Sequence, residues 1–345
     1  MDAGRRAGPQ RGIAWAGQVS EARPRGDRGE NNKVLVSHAK RLVRDLSRHA
    51  RGGRASRQVP DQQGLRRVEL EGLPAFVMRL HDGPDRYIST EIREAGVWEA
   101  FETVVVRALL ATGETFIDLG ANIGWYTIVG CLTVGRKGRV YAFEPDPKNF
   151  ALLRQNVALN RLRRATLVPR AVSDRRGEAL LHLSPENMGD HRLYDSKDGR
   201  AAVRVQVTSL DAYFGAITRS RVAVSLIKID TQGSEARILT GFQRLHRRNA
   251  GQIALIVEFC PYGLTTSGSA PAQLLNCLRG LACDCFLIDE LSCSLRAITP
   301  DVLAARAETD LQPATQRFVN LLVVPRGGRQ LLRVRSLIGE PWPER

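Results

Sequence analysis

Five carboxylates close successive apolar runs of this chain: Asp118 in TFIDLGANIG, Glu144 in RVYAFEPD, Asp174 in AVSD, Asp230 in SLIKIDTQGSE and Glu258 in QIALIVEF. Strand tips in an open parallel sheet are partly buried and border the crevice where ligands bind. Acids there exceed what surface solvation needs. Such groups accept hydrogen bonds from hydroxyls and ammonium groups, and they can take a proton. Asp118 leads into the turn Gly120-Ala121-Asn122-Ile123-Gly124. Gly120 allows a tight turn, and Gly124 allows backbone to come close to a ligand or a neighbouring strand. A dinucleotide turn would space three glycines as GxGxxG and set a helix N-terminus on a pyrophosphate. Here positions 125 and 126 are Trp and Tyr, and Asp118 would repel phosphate. A carboxylate in that place suits a cationic or neutral ligand, such as one with an α-amino group.

Glu144 follows about 25 residues later, where an acid after the second strand accepts hydrogen bonds from two ribose hydroxyls. Pro145 stops the strand, and Pro147 suits the first turn of a helix. The competing reading of Glu144-Pro145-Asp146 is a helix-capping turn. Asp174 reads equally well as an acceptor from an adenine amino group or as a turn cap. Ser234 reads as the N-cap of the helix after Asp230. Lys228 alternates away from the crevice in this reading.

The elements that must position these groups are legible from Thr115 onward. Apolar runs recur at TFIDL, RVYAFE, ATLVPRAV, SLIKID, QIALIVEF, CFLID and RFVNLLVV, with helical stretches at 123–133, 148–160, 234–247, 271–280 and 300–308. Continuous β-rich runs alternating with helices specify a mostly parallel sheet covered on both faces. The last run is expected to return antiparallel at an edge. EALLHL and AVRVQVTSL flank a polar loop and predict an antiparallel pair growing from the sheet edge. Upstream lie two short alternating runs, VEL and AFVMRL, and a helical stretch from about Trp98 to Leu110.

The net charge of +15 on 345 residues invites a nucleic-acid or membrane partner, but its distribution argues otherwise. Residues 1–60 hold 14 basic against 5 acidic residues, and 326–345 hold 5 against 2, which leaves +3 for 61–325. The basic character sits in the tails. Residues 1–60 read as a disordered tail carrying one amphipathic helical stretch at 34–50, followed by a single domain over 61–345. Nucleic acid is disfavoured as a partner, no run is long enough to span a membrane, and no secretory signal is evident. The six cysteines read as reduced thiols of a cytoplasmic protein. Their spacings match no zinc pattern, so no metal is expected there. Asp230 with Glu258 offers hard oxygen ligands as an alternative use of that pair, a divalent cation orienting a vicinal diol.

FIDLGANIGWYTI, AFEPDPKNFALLRQNVALN, AVSD, LIKIDTQGSEARILTG and IVEF, in this order, resemble FkbM-type methyltransferases, and GVWE at 96–99 is similar to the segment before that family's first strand. The resemblance covers roughly 95–325. It implies a Rossmann-like class I fold with a seven-stranded sheet and S-adenosyl-L-methionine as cofactor. Asp118, Gly120, Ala121, Asn122 and Gly124 would wrap the methionine part. Glu144, with Pro145 behind it, would bind the ribose, and Ser173 and Asp174 would lie near the adenine. Asp230 would sit beside the transferred methyl group and, with Glu258, serve the chemistry. Many members carry Glu where this chain has Gln232. The expected reaction is O-methylation of a small or sugar-like hydroxyl acceptor. RNA or protein methylation using the basic tail, and a non-catalytic cofactor-binding scaffold, are the alternatives. The residues expected to choose the acceptor lie in 60–100, 184–200 and 262–270.

Overall fold

A computed structural model describes residues 64–83, 85–217, 222–249 and 253–339. The basic tail and the 34–50 stretch lie outside these residues. The described residues form thirteen strands in chain order. The first two, β1 (Leu65–Val68) and β2 (Phe76–Arg79), make an antiparallel hairpin. Then come β3 (Thr115–Leu119), β4 (Arg139–Phe143), β5 (Ala165–Val168), β6 (Ala171–Val172), β7 (Gly177–His182) and β8 (Ala202–Thr208). The last are β9 (Leu226–Ile229), β10 (Ala254–Phe259), β11 (Cys283–Asp289), β12 (Ser294–Ile298) and β13 (Val319–Pro325).

Eight of them form the central sheet in the order β5-β4-β3-β9-β10-β13-β11-β12. Strands β5, β4, β3, β9 and β10 run parallel. The chain winds outward from β3 to β5, then returns to place β9 on the other side of β3. That reversal opens the crevice above β3 and β9, the switch point at which such sheets bind ligands. Residues alternate between two packed faces, as the period of a strand demands. Phe116, Leu226, Ala254 and Ile256 face the helices Ala100–Leu109 and Trp125–Val134, while Ile117, Ile227, Leu255 and Val257 face the helices that follow β8.

Three expectations need amendment. The final run is antiparallel, but β13 lies inside the sheet between β10 and β11. The edge belongs instead to β12, which hairpins back on β11 through Glu290–Cys293 and brings the sheet to eight strands. The predicted antiparallel pair does form as β7 and β8, yet it joins β6 in a separate three-stranded sheet. The run ATLVPRAV is thereby split between two sheets. The break falls at Pro169, which lacks the N–H needed to continue a ladder.

The N-terminal hairpin docks by a device that apolar patterning does not reveal. On the helix Pro147–Leu159, Asn156 lies one turn before the capping residue Asn160, so both side chains reach the same side. The Asn156 amide accepts from Arg79 N at 2.6 Å and donates to Arg79 O at 3.0 Å. The Asn160 amide does the same with Val77 N and O, at 2.8 and 2.6 Å. Two side-chain amides thus imitate a neighbouring strand along β2. Asn156 also donates to Ile123 O at 2.8 Å, inside the glycine turn. Asn156→Ala is expected to destabilise the fold by about 2–4 kcal/mol in denaturant unfolding, because it leaves buried backbone groups unpaired. The hairpin amides should lose hydrogen-exchange protection first.

Candidate active site

The turn after β3 is shaped by close backbone contact. Gly120 has φ +79°, and a Cβ there would stand 1.9 Å from the Asp230 carbonyl oxygen. Gly124 has φ +96°, and its missing Cβ makes room for Leu153. Gly120 and Ala121 N–H groups both donate to Phe143 O at 3.0 Å, which locks the turn to the end of β4. Trp125 and Tyr126 reach away from the turn to the helix Ala100–Leu109. Trp125 Nε1 donates to Thr103 Oγ1 at 2.9 Å, and the Tyr126 hydroxyl donates to Glu99 Oε2 at 2.8 Å. The bulk that spoils a dinucleotide turn therefore clamps the helix before the sheet.

Asp118 is buried, and its Oδ2 accepts from Thr127 Oγ1 at 2.6 Å. Burial pushes its carboxyl up to about 6, against the pull of the Thr127 hydrogen bond and the Lys228 charge. Glu144 is buried as well, and burial lifts it to about 8 although two backbone donors oppose the shift. Those donors are Asn122 N on Oε2 and Asp146 N on Oε1, both at 2.8 Å. Each carboxylate oxygen has two lone pairs, so this arrangement orients Glu144 and still leaves capacity for hydroxyl donors. The capping role falls to Asp146, whose Oδ1 accepts from Lys148 N and Asn149 N.

Lys228 does not alternate away from the crevice. It is paired with Asp118 across β3 and β9 and shares its face. Its buried Nζ lies 2.9 Å from Asp230 Oδ2, 3.2 Å from Glu102 Oε1 and 4.7 Å from the Tyr126 ring centroid. These partners keep the ammonium charged well above its ordinary range despite burial. Glu102 is held in turn by Asn320 Nδ2 at 2.8 Å. Gln232, in the left-handed region at φ 54°, donates through Nε2 to Asp230 Oδ1 at 2.9 Å and to Glu258 Oε2 at 3.4 Å. Glu258 is raised well above the usual carboxylate range by burial and then by the Asp230 charge. Its Oε1 is buried and has no hydrogen-bond partner among the described residues. Asp230 and Glu258 therefore come together as a linked pair. A Glu at 232 would add a third acid between them.

Ser173 and Asp174 are placed differently from the other candidates. They follow β6 in the small sheet, so Asp174 does not tip a strand of the central one. Ser173 N donates to Thr208 O at 2.9 Å and its hydroxyl to Asp174 Oδ1 at 3.2 Å. A Cβ at Gly241 would press on this backbone at 2.5 Å. Pro145 follows Glu144 directly and precedes the capping Asp146. Ser234 occupies the N-cap position without a side-chain cap. The buried Glu235 instead gathers Thr231 N, Thr231 Oγ1 and Gly233 N.

The loop 183–201 roofs the crevice. Met188 O accepts from Asn122 Nδ2 at 2.7 Å and from Asn149 Nδ2 at 2.8 Å. At the other side a Cβ on Gly233 would meet the Tyr194 ring at 2.9 Å. Arg192 sits over both Tyr194 and Tyr262, at 5.6 and 5.5 Å. Reading strand ends alone misses Glu99, Glu102 and Tyr126 and turns Lys228 away from the crevice. The available signal was Lys228, a cation in an otherwise apolar run, which needed a buried partner on another element.

The cradle fits S-adenosylmethionine. Acids and backbone carbonyls suit an ammonium and a sulfonium, Glu144 suits vicinal hydroxyls, and the Cβ-free turn admits backbone approach without a phosphate site. Gly120→Ala is expected to abolish cofactor binding in calorimetry and to lower Tm, since the Asp230 carbonyl must move. Raised carboxyl values also fix the sign of the pH dependence. Asp118 and Glu144 bind protons more tightly folded than unfolded, so their contribution is complete below about pH 4 and is lost as pH rises through about 6 and about 8. The ligand-free protein should weaken across that window by up to about 1.4 kcal/mol per pH unit for each group. Glu144→Gln should flatten the upper part of the curve in urea unfolding.

Comparison with known proteins agrees with this geometry. Residues 118–282 match the methyltransferase FkbM domain. A probable cobalt-precorrin-6B C(15)-methyltransferase (decarboxylating) of Sulfolobus acidocaldarius is 36% identical over 95 residues, covering 26% of this chain and 48% of the relative. The corresponding protein of Sulfurisphaera tokodaii is 32% identical over 110 residues, covering 32% and 55%. The chain thus spans about half the length of the curated relatives it matches. The crystal structure of methyltransferase FkbM from Methylobacillus flagellatus superposes with a TM-score of 0.35 and 18% identity, covering 61% of this chain and 43% of that one. The stretch that matches the methyltransferase FkbM domain, residues 118–282, holds the β3 turn and the acids Asp118, Glu144, Asp230 and Glu258 above it.

Proposed function

We propose that this protein methylates a hydroxyl group of a small or sugar-like acceptor, with Asp230 and Glu258 handling the acceptor's proton. S-adenosylmethionine, when bound, supplies a methyl group on a sulfonium sulfur. The chain's own task is to hold the acceptor oxygen in line and to take its proton. The observation that carries this reading is the Asp230–Gln232–Glu258 arrangement at the switch point, with Glu258 Oε1 buried and unpartnered. Side-chain exposure of 32% leaves Asp230 open to the crevice, while Lys228 neutralises part of its charge. The acceptor's proton goes to Asp230, the carboxylate open to the crevice, and Gln232 links Asp230 to the Glu258 carboxyl. Asp118 and the 120–124 turn hold the methionine part, and Glu144 holds the ribose. Ser173 and Asp174 complete the adenine side once the cofactor is seated. The roof over 183–201 excludes water and, with Tyr194 and Tyr262, selects the acceptor. Six thiols suit a cytoplasmic setting.

Glu258→Gln and Asp230→Asn are each expected to lower turnover by about 10²–10⁴. Glu258→Gln should keep cofactor affinity within about threefold in calorimetry, whereas Asp118→Ala should lose it. The acceptor is to be sought by mass spectrometry of extracts from cells lacking or overproducing the protein, as metabolite pairs differing by about 14 Da. No heat of binding to S-adenosylmethionine by the purified wild type would refute the proposal.

A further inference from the structure

The folded body hides a strong charge asymmetry. Its net +3 over 61–325 conceals eight basic residues against one acid between Lys148 and Arg176, which leaves the remainder at −4. This stretch is the helix Pro147–Leu159, the turn after it, the edge strand β5 and the start of the small sheet. Arg154, Arg161, Arg163, Arg164, Arg170 and Arg175 are exposed and have no ion pair among the described residues, so their charges are available to an acidic partner. Between helix and strand lies an open groove of about 560 Å³. Its floor is aliphatic, with Val157, Ala158, Leu162 and Leu167, and Arg154, Arg161 and Arg163 rim it.

Strand β5 borders this groove with an edge that no strand among the described residues pairs with. Val140 N bonds Arg164 O, and Glu144 N bonds Val168 O, both at 3.1 Å. By the two-residue period of a strand, Thr166 also turns its carbonyl toward β4, and Leu167 turns its backbone N–H and C=O outward. Arginines beside such an edge repel a second copy of it and attract an acidic chain. Arg161 is held at φ 53°, in the position after the helix where glycine fits without strain. A guanidinium is kept there at a cost to the backbone.

We propose that this face is a docking site for an acidic, extended polypeptide segment, which adds to the β5 edge, sets aliphatic side chains into the groove and places carboxylates on Arg154, Arg161 and Arg163. Guanidinium forks bind carboxylates in two-point geometry, and a strand edge gives a peptide main-chain partners. A nucleic acid cannot use the edge, and none of the residues lining the groove is aromatic, so bases find no stacking partner there. The site lies toward the C-terminal end of the helix whose N-terminus caps the crevice, so it is separate from the methyl-transfer site.

Fluorescence anisotropy of the full chain at low salt tests this with a labelled Glu-Leu-Glu-Leu-Glu-Glu peptide, the same peptide N-methylated at alternate backbone positions, and an oligouridylate. The plain peptide should bind, the N-methylated one should bind about tenfold more weakly, and the oligouridylate should bind less well than the plain peptide. Arg161→Glu with Arg163→Glu should weaken peptide binding at least about tenfold while leaving cofactor binding intact. Arg161→Gly serves if the double variant fails to fold, and it should raise Tm while weakening binding. Equal affinity for the N-methylated peptide, preference for the oligouridylate, or binding indifferent to Arg161→Gly would each overturn the proposal.

Discussion

One buried ammonium organises the crevice. Lys228 sits on β9 facing the helical layer, where an unpaired cation would be costly, and it is enclosed by Asp230, Glu102 and the face of Tyr126. Each partner belongs to a different part of the chain. Glu102 comes from the helix before the sheet, Tyr126 from the helix after the glycine turn, and Asp230 from the tip of β9 itself. The single charge thus fixes the spacing between the turn and the second loop of the switch point. Glu102 carries the linkage outward to Asn320 on β13, and Glu290 caps the N-terminus of the same helix through Phe101 N and Glu102 N.

A consequence follows for the acids. Several carboxyl groups crowd a region with one lysine, and burial there disfavours the charged form. Burial and mutual repulsion lift Glu99 and Glu258 well above the usual range, and Glu290 up to about 7. The group nearest the ammonium, Asp230, is the one open to the crevice. Gln232 couples it to a carboxyl that favours its protonated form. A neutral amide joins two acids without adding charge, which a glutamate at 232 would not do.

Much of this was readable from the residues in order. The alternation of apolar runs and helices predicted the parallel layers, and the glycine turn with Asp118 predicted a ligand without phosphate. Asp118, Glu144, Asp230 and Glu258 do stand at or beside the ends of β3, β4, β9 and β10. The strand content of the last third was harder. Whether a run joins at an edge or slips between two neighbours depends on pairing over long separations, and β13 carries no local mark of its antiparallel place. Asp174 was misplaced for a related reason, because Pro169 divides a run that composition alone presents as continuous. The paired amides of Asn156 and Asn160 look like ordinary polar residues on a helix until β2 is laid beside them.

The sequence by itself determined which groups stand at the ends of which elements, since strand period, turn glycines and proline stops are local properties of the chain. Only the tertiary structure decided which of those groups meet. Lys228 points into the crevice because β3 and β9 pair in a register that sets it opposite Asp118. Register, sheet order and the docking of a helix before the sheet are set by packing between distant segments, where no local signal acts.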